Sequence, residues 1–181
     1  MNGVWDMDIF TKGESGPITL ASEFEGDVPA DFKIVLLDVI THQTYNLLDE
    51  SSQVILTDYR EEFPYHLKAV AGRNAWVDAK VQEILAQLPS EFALHQNYPN
   101  PFNPTTTIRF ALPKPDKVIL VVYDLLGREV AILREGWLDL GEHEVLWNGY
   151  DRFGRPLPSG IYFVRFAVLG HNRTIKMVLL K

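Results

Sequence analysis

No helix and no regular strand can run through residues 97–104, Asn-Tyr-Pro-Asn-Pro-Phe-Asn-Pro. Pro99, Pro101 and Pro104 each hold φ at about −65°, lack an amide donor and push the preceding residue into extended geometry. Asn97, Asn100 and Asn103 carry side chains that bond nearby backbone groups. The segment is therefore expected to be rigid without being a strand, and to define how the chain enters the strands after it. It closes a longer stretch, residues 88–104 (LPSEFALHQNYPNPFNP), where the chain changes character. Residues 1–90 hold 15 acidic and 6 basic side chains, whereas residues 91–181 hold 9 and 11. A composition shift at a proline-rich stretch marks a domain boundary. The expected organisation is an acidic domain over 1–88, a Pro/Asn-rich linker and lead-in over 89–104, and a second domain over 105–181.

Strand patterning is clearest after that boundary. Thr106–Leu112 alternates, with Ile108, Phe110 and Leu112 opposite Thr107 and Arg109. Lys117–Tyr123 is a continuous apolar run, which predicts a strand covered on both faces. Asp124–Gly127 followed by Arg128–Leu133 reads as a hairpin in which Gly127 takes the φ > 0 position. Glu142–Trp147 alternates and phases Trp147 with His143 and Val145, so Trp147 is expected in the core. Gly160–Val168 and Arg173–Leu180 complete six short strands separated by turn residues, the pattern of a β-sandwich.

The first half also leans towards strands. Pro17–Phe24 places Ile18, Leu20, Ser22 and Phe24 on one face, and Lys33–Val39 and Thr44–Leu48 flank a hairpin turn at Ile40–Gln43. Pro64 demotes Glu62–Val70 to an edge strand or bulge. Val81–Leu88 reads either as a short helical turn or as a strand. The fold class expected is all-β, with two small antiparallel, immunoglobulin-like β-sandwich domains in tandem.

Composition and motifs exclude much chemistry. A net charge of −7 argues against a nucleic-acid binder, which needs a basic face to displace counterions. No apolar run reaches the ~20 residues that span a bilayer, and Met1–Phe10 lacks the basic and apolar regions of a signal peptide. Cysteine is absent, which removes thiol catalysis, disulfides and thiolate metal sites. There is no GxSxG, HExxH or Walker-type glycine loop. His42, His66, His95, His143 and His171 are scattered without metal-ligand spacing. Asp6 and Asp8, two apart, fall short of the six or more oxygens calcium takes, and read with Asp27, Asp31, Asp49, Glu50 and Asp58 as a solvated acidic face. Asn172-Arg-Thr174 matches the short glycosylation sequon. Trp137, in the turn Glu135–Asp139, is the one tryptophan read as a possible contact residue; a single ring is no glycan platform. No catalytic residue, cofactor or metal is expected.

Phe92–Thr105 (FALHQNYPNPFNPT) closely resembles the opening of the C-terminal sorting domain of the type IX (Por) secretion system, type A. Further segments fit in order: Thr107–Pro113 (TIRFALP), Val121–Val130 (VVYDLLGREV), Gly141–Asn148 (GEHEVLWN), Leu157–Tyr162 (LPSGIY) and a basic, apolar strand ending at Lys181. The later part is also similar to the immunoglobulin-like domain of flagellar hook-capping proteins. The resemblance implies a cargo protein of Bacteroidetes-type bacteria, carried through the periplasm to the surface or the medium. Its partners would be the outer-membrane translocon and a sortase-like peptidase; apart from the resemblance, the expectation for the chain itself is a monomer. It further implies a signal peptide and cargo domain ahead of this sequence. The sorting candidates are Asn97, Pro99, Asn100, Pro101, Phe102, Asn103 and Pro104, with Lys176, Val178, Leu180 and Lys181 at the C-terminus. Gly127, Trp147, Gly160 and Tyr162 are expected to be structural. The competing readings are a surface adhesion or glycan-binding module and the accessory tail of a secreted hydrolase.

Overall fold

The computed structural model describes residues 2–10, 17–20, 27–49, 54–56 and 64–181. The chain divides into two compact units, Met1–Gln87 and Leu88–Lys181. Antiparallel sheets dominate both, as expected.

The first unit contains strands β1 (Gly3–Ile9), β2 (Ile18–Leu20), β3 (Phe32–Asp38), β4 (Thr44–Asn46), β5 (Val54–Leu56) and β6 (Tyr65–Arg73), then helix α1 (Asn74–Gln87). One sheet has the order β1-β6-β3-β4, and β2 pairs with β5 in a second. Leu36, Val54, Leu56, Tyr65 and Leu67 form the core shared by the two sheets. Lys33 shares the opposite face of β3 with Val35 and Leu37 and pairs with Asp78 of α1, so α1 lies against that face. The hairpin at Ile40–Gln43 is present, with His42 at φ 61°. Asp38 secures it: its carboxylate accepts the amides of Ile40 and Thr41 and the hydroxyls of Thr41 and Tyr65. A carboxylate 1% exposed is tolerable only with its acceptor capacity filled in this way.

The structure changes one expectation for this unit and sharpens two others. Pro64 does not make an edge strand, because β6 begins after it and runs between β1 and β3; starting past the proline, β6 can donate on both sides. Of Val81–Leu88, all but Leu88 resolves as the end of helix α1 rather than as strand, and Val77, Val81 and Ile84 are buried at spacings of four and three. Asp6 and Asp8 share a face of β1 but lie opposite Lys68 and His66 and pair with them. Ser22, Phe24, Glu50 and Asp58 lie outside the described residues.

The second unit contains β7 (Ala93–Leu94), β8 (Thr106–Leu112), β9 (Asp116–Tyr123), β10 (Glu129–Leu138), β11 (Gly141–Trp147), β12 (Gly160–Val168) and β13 (His171–Leu179). A four-stranded sheet β10-β9-β12-β13 faces a three-stranded sheet β11-β8-β7. Ile108, Phe110, Leu112 and Trp147 point inward as their alternation predicts, and Val118, Leu120, Val122, Tyr162, Val164, Phe166, Met177 and Leu179 complete the core. β9 is covered less completely than its apolar run predicts. Val121 is buried on its outer face, but Ile119, two residues earlier on that face, is exposed.

Gly127 adopts φ 76° with no atom within 4 Å of the position a Cβ would take, whereas Gly149, at φ 72°, would place a Cβ 3.2 Å from the Pro104 carbonyl oxygen. Gly160 has no positive φ, and a Cβ there would come no nearer than 3.8 Å to the Tyr162 ring. It is therefore not required as glycine by φ or by space. Gly127→Ala should cost about 1–2 kcal/mol through backbone conformation alone, and Gly149→Ala more through added crowding. Denaturant unfolding of the two variants measures the difference; equal costs would mean that the contact with Pro104 relaxes freely.

Candidate functional site

The Pro/Asn segment and the C-terminal strand, 70 to 80 residues apart in sequence, meet along one edge of the second unit. The Phe102 amide donates to the Val178 carbonyl at 2.9 Å, and the Leu180 amide donates to the Phe102 carbonyl at 2.8 Å. Asn100 acts from both ends of its amide, donating to the Lys176 carbonyl at 3.2 Å and accepting from the Val178 amide at 2.9 Å. Gln96 donates to the same Lys176 carbonyl at 2.9 Å. These bonds satisfy the outer edge of β13, which would otherwise present unpaired backbone groups to solvent. The prolines give no amide, so the donors come from Phe102 and from Gln96 and Asn100 side chains.

The segment is itself braced from within. Asn97, 2% exposed, donates to the Pro99 carbonyl and the Thr106 hydroxyl and accepts from Gln96. Thr106 in turn donates to the Pro99 carbonyl at 2.8 Å. The Tyr98–Pro99 and Asn100–Pro101 peptide bonds are cis. Phe102 sends its ring into the core, 5.5 Å from the Trp147 ring. The candidates therefore separate. Asn97 and Phe102 are buried and hold the fold, whereas Pro99, Pro101, Asn103, Pro104, Lys176, Leu180 and Lys181 face solvent and Val178 is half-buried opposite Ile161. Tyr98 stands 81% exposed beside them.

The residues expected to be structural contribute as follows. Trp147 is buried and donates from its indole nitrogen to the Tyr150 carbonyl at 3.1 Å. Tyr162 is buried and donates to the Pro158 carbonyl at 2.8 Å; burial, then the nearby Asp124 charge, push its phenol pKa upward. Trp137 is half-buried. Among the described residues no cluster of three His, Asp or Glu side chains is placed to hold a metal, and no helix is long and apolar enough to cross a membrane.

One feature escapes a strand-by-strand reading although its signal is in the sequence. Asp124-Leu-Leu-Gly-Arg128 and Asp151-Arg-Phe-Gly-Arg155 share an Asp-x-x-Gly-Arg pattern, and they fold alike. In each, one carboxylate oxygen accepts the amides two and four residues on, and the other accepts the arginine Nε. Each glycine has φ near that of the other, 76° and 75°. The Arg152 amide donates to the Val130 carbonyl, tying the second turn to the strand that leaves the first. Both aspartates have lowered pKa values, chiefly because the arginine backbone amide bonds the charged form and then because the arginine side chain does, with burial opposing.

Asn97→Ala should cost about 1–3 kcal/mol, since it strips a buried network of two donors. Tyr98→Ala, changing an exposed ring, should stay within about 0.5 kcal/mol of the parent; urea melts of both variants test the division between holding and exposed residues. The aspartate turns also predict a pH dependence. Between the lowered folded pKa and the ordinary carboxylate value of about 3.9 the unfolded chain holds more protons. Stability from these turns is thus full above that value and is lost as pH falls through the folded pKa. Asp124→Asn with Asp151→Asn should therefore flatten the acid limb of a melting-temperature profile; an unchanged limb would exclude the turns as its source.

No family model matches the sequence, and no curated protein matches it. Among solved structures, the chain is similar to dimeric latent PorU from Porphyromonas gingivalis, at 17% identity and a TM-score of 0.42, over 86% of this chain and 16% of that one. It is similar to PorZ, an essential bacterial surface component of the type-IX secretion system of Porphyromonas gingivalis, at 14% identity and a TM-score of 0.35, over 81% of this chain and 22% of that one. A third similarity, to the Pseudomonas fluorescens alkylpurine DNA glycosylase AlkC, has 15% identity and a TM-score of 0.35 over 59% of this chain and 39% of that one.

Proposed function

We propose that this chain is the C-terminal region of an exported bacterial protein, and that its second unit is a non-catalytic sorting signal for a type IX outer-membrane translocon. The observation that carries the reading is the joining of the two resembling segments. Asn100 and Phe102 bond Lys176, Val178 and Leu180 along one edge, so the proline segment and the C-terminus present a single surface. Tyr98, Pro99, Pro101, Lys176, Leu180 and Lys181 are its exposed side chains. A translocon would read that surface from the periplasm, and a sortase-like peptidase would then act on the delivered protein. The cargo's own activity lies with whatever the signal is attached to.

The test is a fluorescent reporter with a signal peptide, fused ahead of the full chain and expressed in a host that has this secretion system. Val178→Ser with Leu180→Ser, which leaves Met177 and Leu179 in the core, should retain the reporter in the periplasm with little change in melting temperature. Deleting Thr174–Lys181 should do the same at a cost in stability. Normal surface delivery of the deletion variant would refute the sorting assignment. Loss of export together with a large loss of stability in the double variant would reduce the strand to a structural role.

A further inference from the structure

The paired Asp-x-x-Gly-Arg turns use two carboxylates to fix backbone, and the side chains they then hold out to water are apolar. Leu126 is 77% exposed and Phe153 67%, with Leu125 beside them equally open. Nothing in the sandwich core requires these side chains, because both turns are closed by their own hydrogen bonds. A cleft of about 500 Å3 is lined by both turns, by Leu157 and Pro158 ahead of β12, and by Ile161 on β12. Such a volume falls within the range of small ligand pockets and matches a few amino-acid side chains rather than an extended interface.

Within each pair the carboxylate is the buried partner and the guanidinium the exposed one. The Asp124 and Asp151 side chains are 16% and 11% exposed, while the arginines that bond them, Arg128 and Arg155, are 73% and 72% exposed. Arg152 sits 3.7 Å from Glu129 and is also largely exposed. The Arg152 and Arg155 guanidinium carbons lie 4.8 and 5.0 Å from the centre of the Phe153 ring, a distance at which cation–π attraction holds the ring in place. A group approaching the cleft therefore meets exposed guanidinium and exposed hydrocarbon side by side. Guanidinium recognises carboxylate through parallel N–H donors.

We propose that this cleft docks an acidic, apolar peptide segment of a partner protein, with an apolar side chain between Leu126 and Phe153 and a neighbouring carboxylate on the exposed arginines. The sign of the exposed charge selects a carboxylate-bearing occupant. Each arginine is already paired with Asp124, Glu129 or Asp151, so a carboxylate is taken up by geometry at the remaining exposed N–H donors, and a concave cleft of this size admits a side chain where a flat bilayer does not fit. Its recognition is short-range and geometric, which suits a peptide. The inference does not rest on the sorting reading: the cleft adjoins the C-terminal edge through Ile161, the cross-strand partner of Val178, but its two turns lie outside that edge and peptide binding is read without export.

The experiment uses the full chain and a fluorescein-labelled peptide alternating glutamate with leucine and phenylalanine. Saturable binding is expected, with amide NMR shifts concentrated at residues 124–128 and 151–162. The same peptide with lysine for glutamate, and a second with serine for leucine and phenylalanine, should each bind at least about tenfold more weakly, a difference of 1.4 kcal/mol. Leu126→Ser with Phe153→Ser should weaken binding to a similar degree without moving the melting temperature, since both side chains are exposed. Arg152→Gln should weaken it and reduce its salt dependence. Equal binding of the lysine peptide would overturn the proposal, as would shifts located elsewhere. Binding to phosphatidylglycerol vesicles in the absence of peptide binding would overturn it in favour of a membrane surface. Loss of reporter export with peptide binding intact would bear on the sorting reading alone.

Discussion

Phe102 is the residue on which the second unit turns. Its ring packs into the sandwich core beside Trp147, and its backbone amide and carbonyl pair with Val178 and Leu180 on the edge of β13. One residue thus anchors an otherwise irregular, proline-rich segment and covers a sheet edge that would invite pairing with another chain. The neighbouring asparagines make this possible. Prolines remove donors, so a segment built from them can cover an edge only if side-chain amides supply the donors the backbone lacks. Asn97 keeps the segment folded on itself, Asn100 reaches the strand, and Phe102 joins edge and core. The lead-in is consequently part of the sandwich and not a spacer ahead of it.

The same device recurs in the turns. Asp38, Asp124 and Asp151 each bring a carboxylate back onto amides two or more residues ahead. A carboxylate that accepts amide hydrogens fixes a loop without any apolar burial. At Asp38 the result is a buried, internally satisfied hairpin beneath Tyr65. At Asp124 and Asp151 it frees Leu125, Leu126 and Phe153 from any packing duty, so those side chains are available at the surface. The two exposed features of the second unit, the C-terminal edge and the twin-turn cleft, both arise where polar side chains hold backbone that hydrophobic burial holds elsewhere in the fold.

Much of this architecture follows from local pattern. Alternation in Thr106–Leu112 and Glu142–Trp147 assigns strands and inner faces because side chains on a strand switch sides at every residue, and the core placement of Trp147 comes with its phase. Gly127 is legible in the same way, as a turn residue after an aspartate. The Asp-x-x-Gly-Arg repeat is visible too, though only folding shows that the two turns share a cleft. Helix α1 is half legible: Val81 and Ile84 give a period, while Ala75, Trp76 and Val77, clustered together, hide where it begins.

Sequence by itself therefore determined that this protein is built of short antiparallel strands, that its character changes at a proline-rich boundary, and which faces of its strands are apolar. Tertiary structure alone decided which strand sits beside which, that β6 runs inside its sheet despite Pro64, that Asn97 and Phe102 are buried while their neighbours are exposed, and that Asn100 meets Lys176 and Val178 across 76 and 78 residues. The reason is the range of the forces. Periodicity reports where a side chain points relative to its own strand, a local property of the backbone. Partnership across a sheet edge depends on donors and acceptors brought together from distant parts of the chain, and no local pattern encodes which ones will meet.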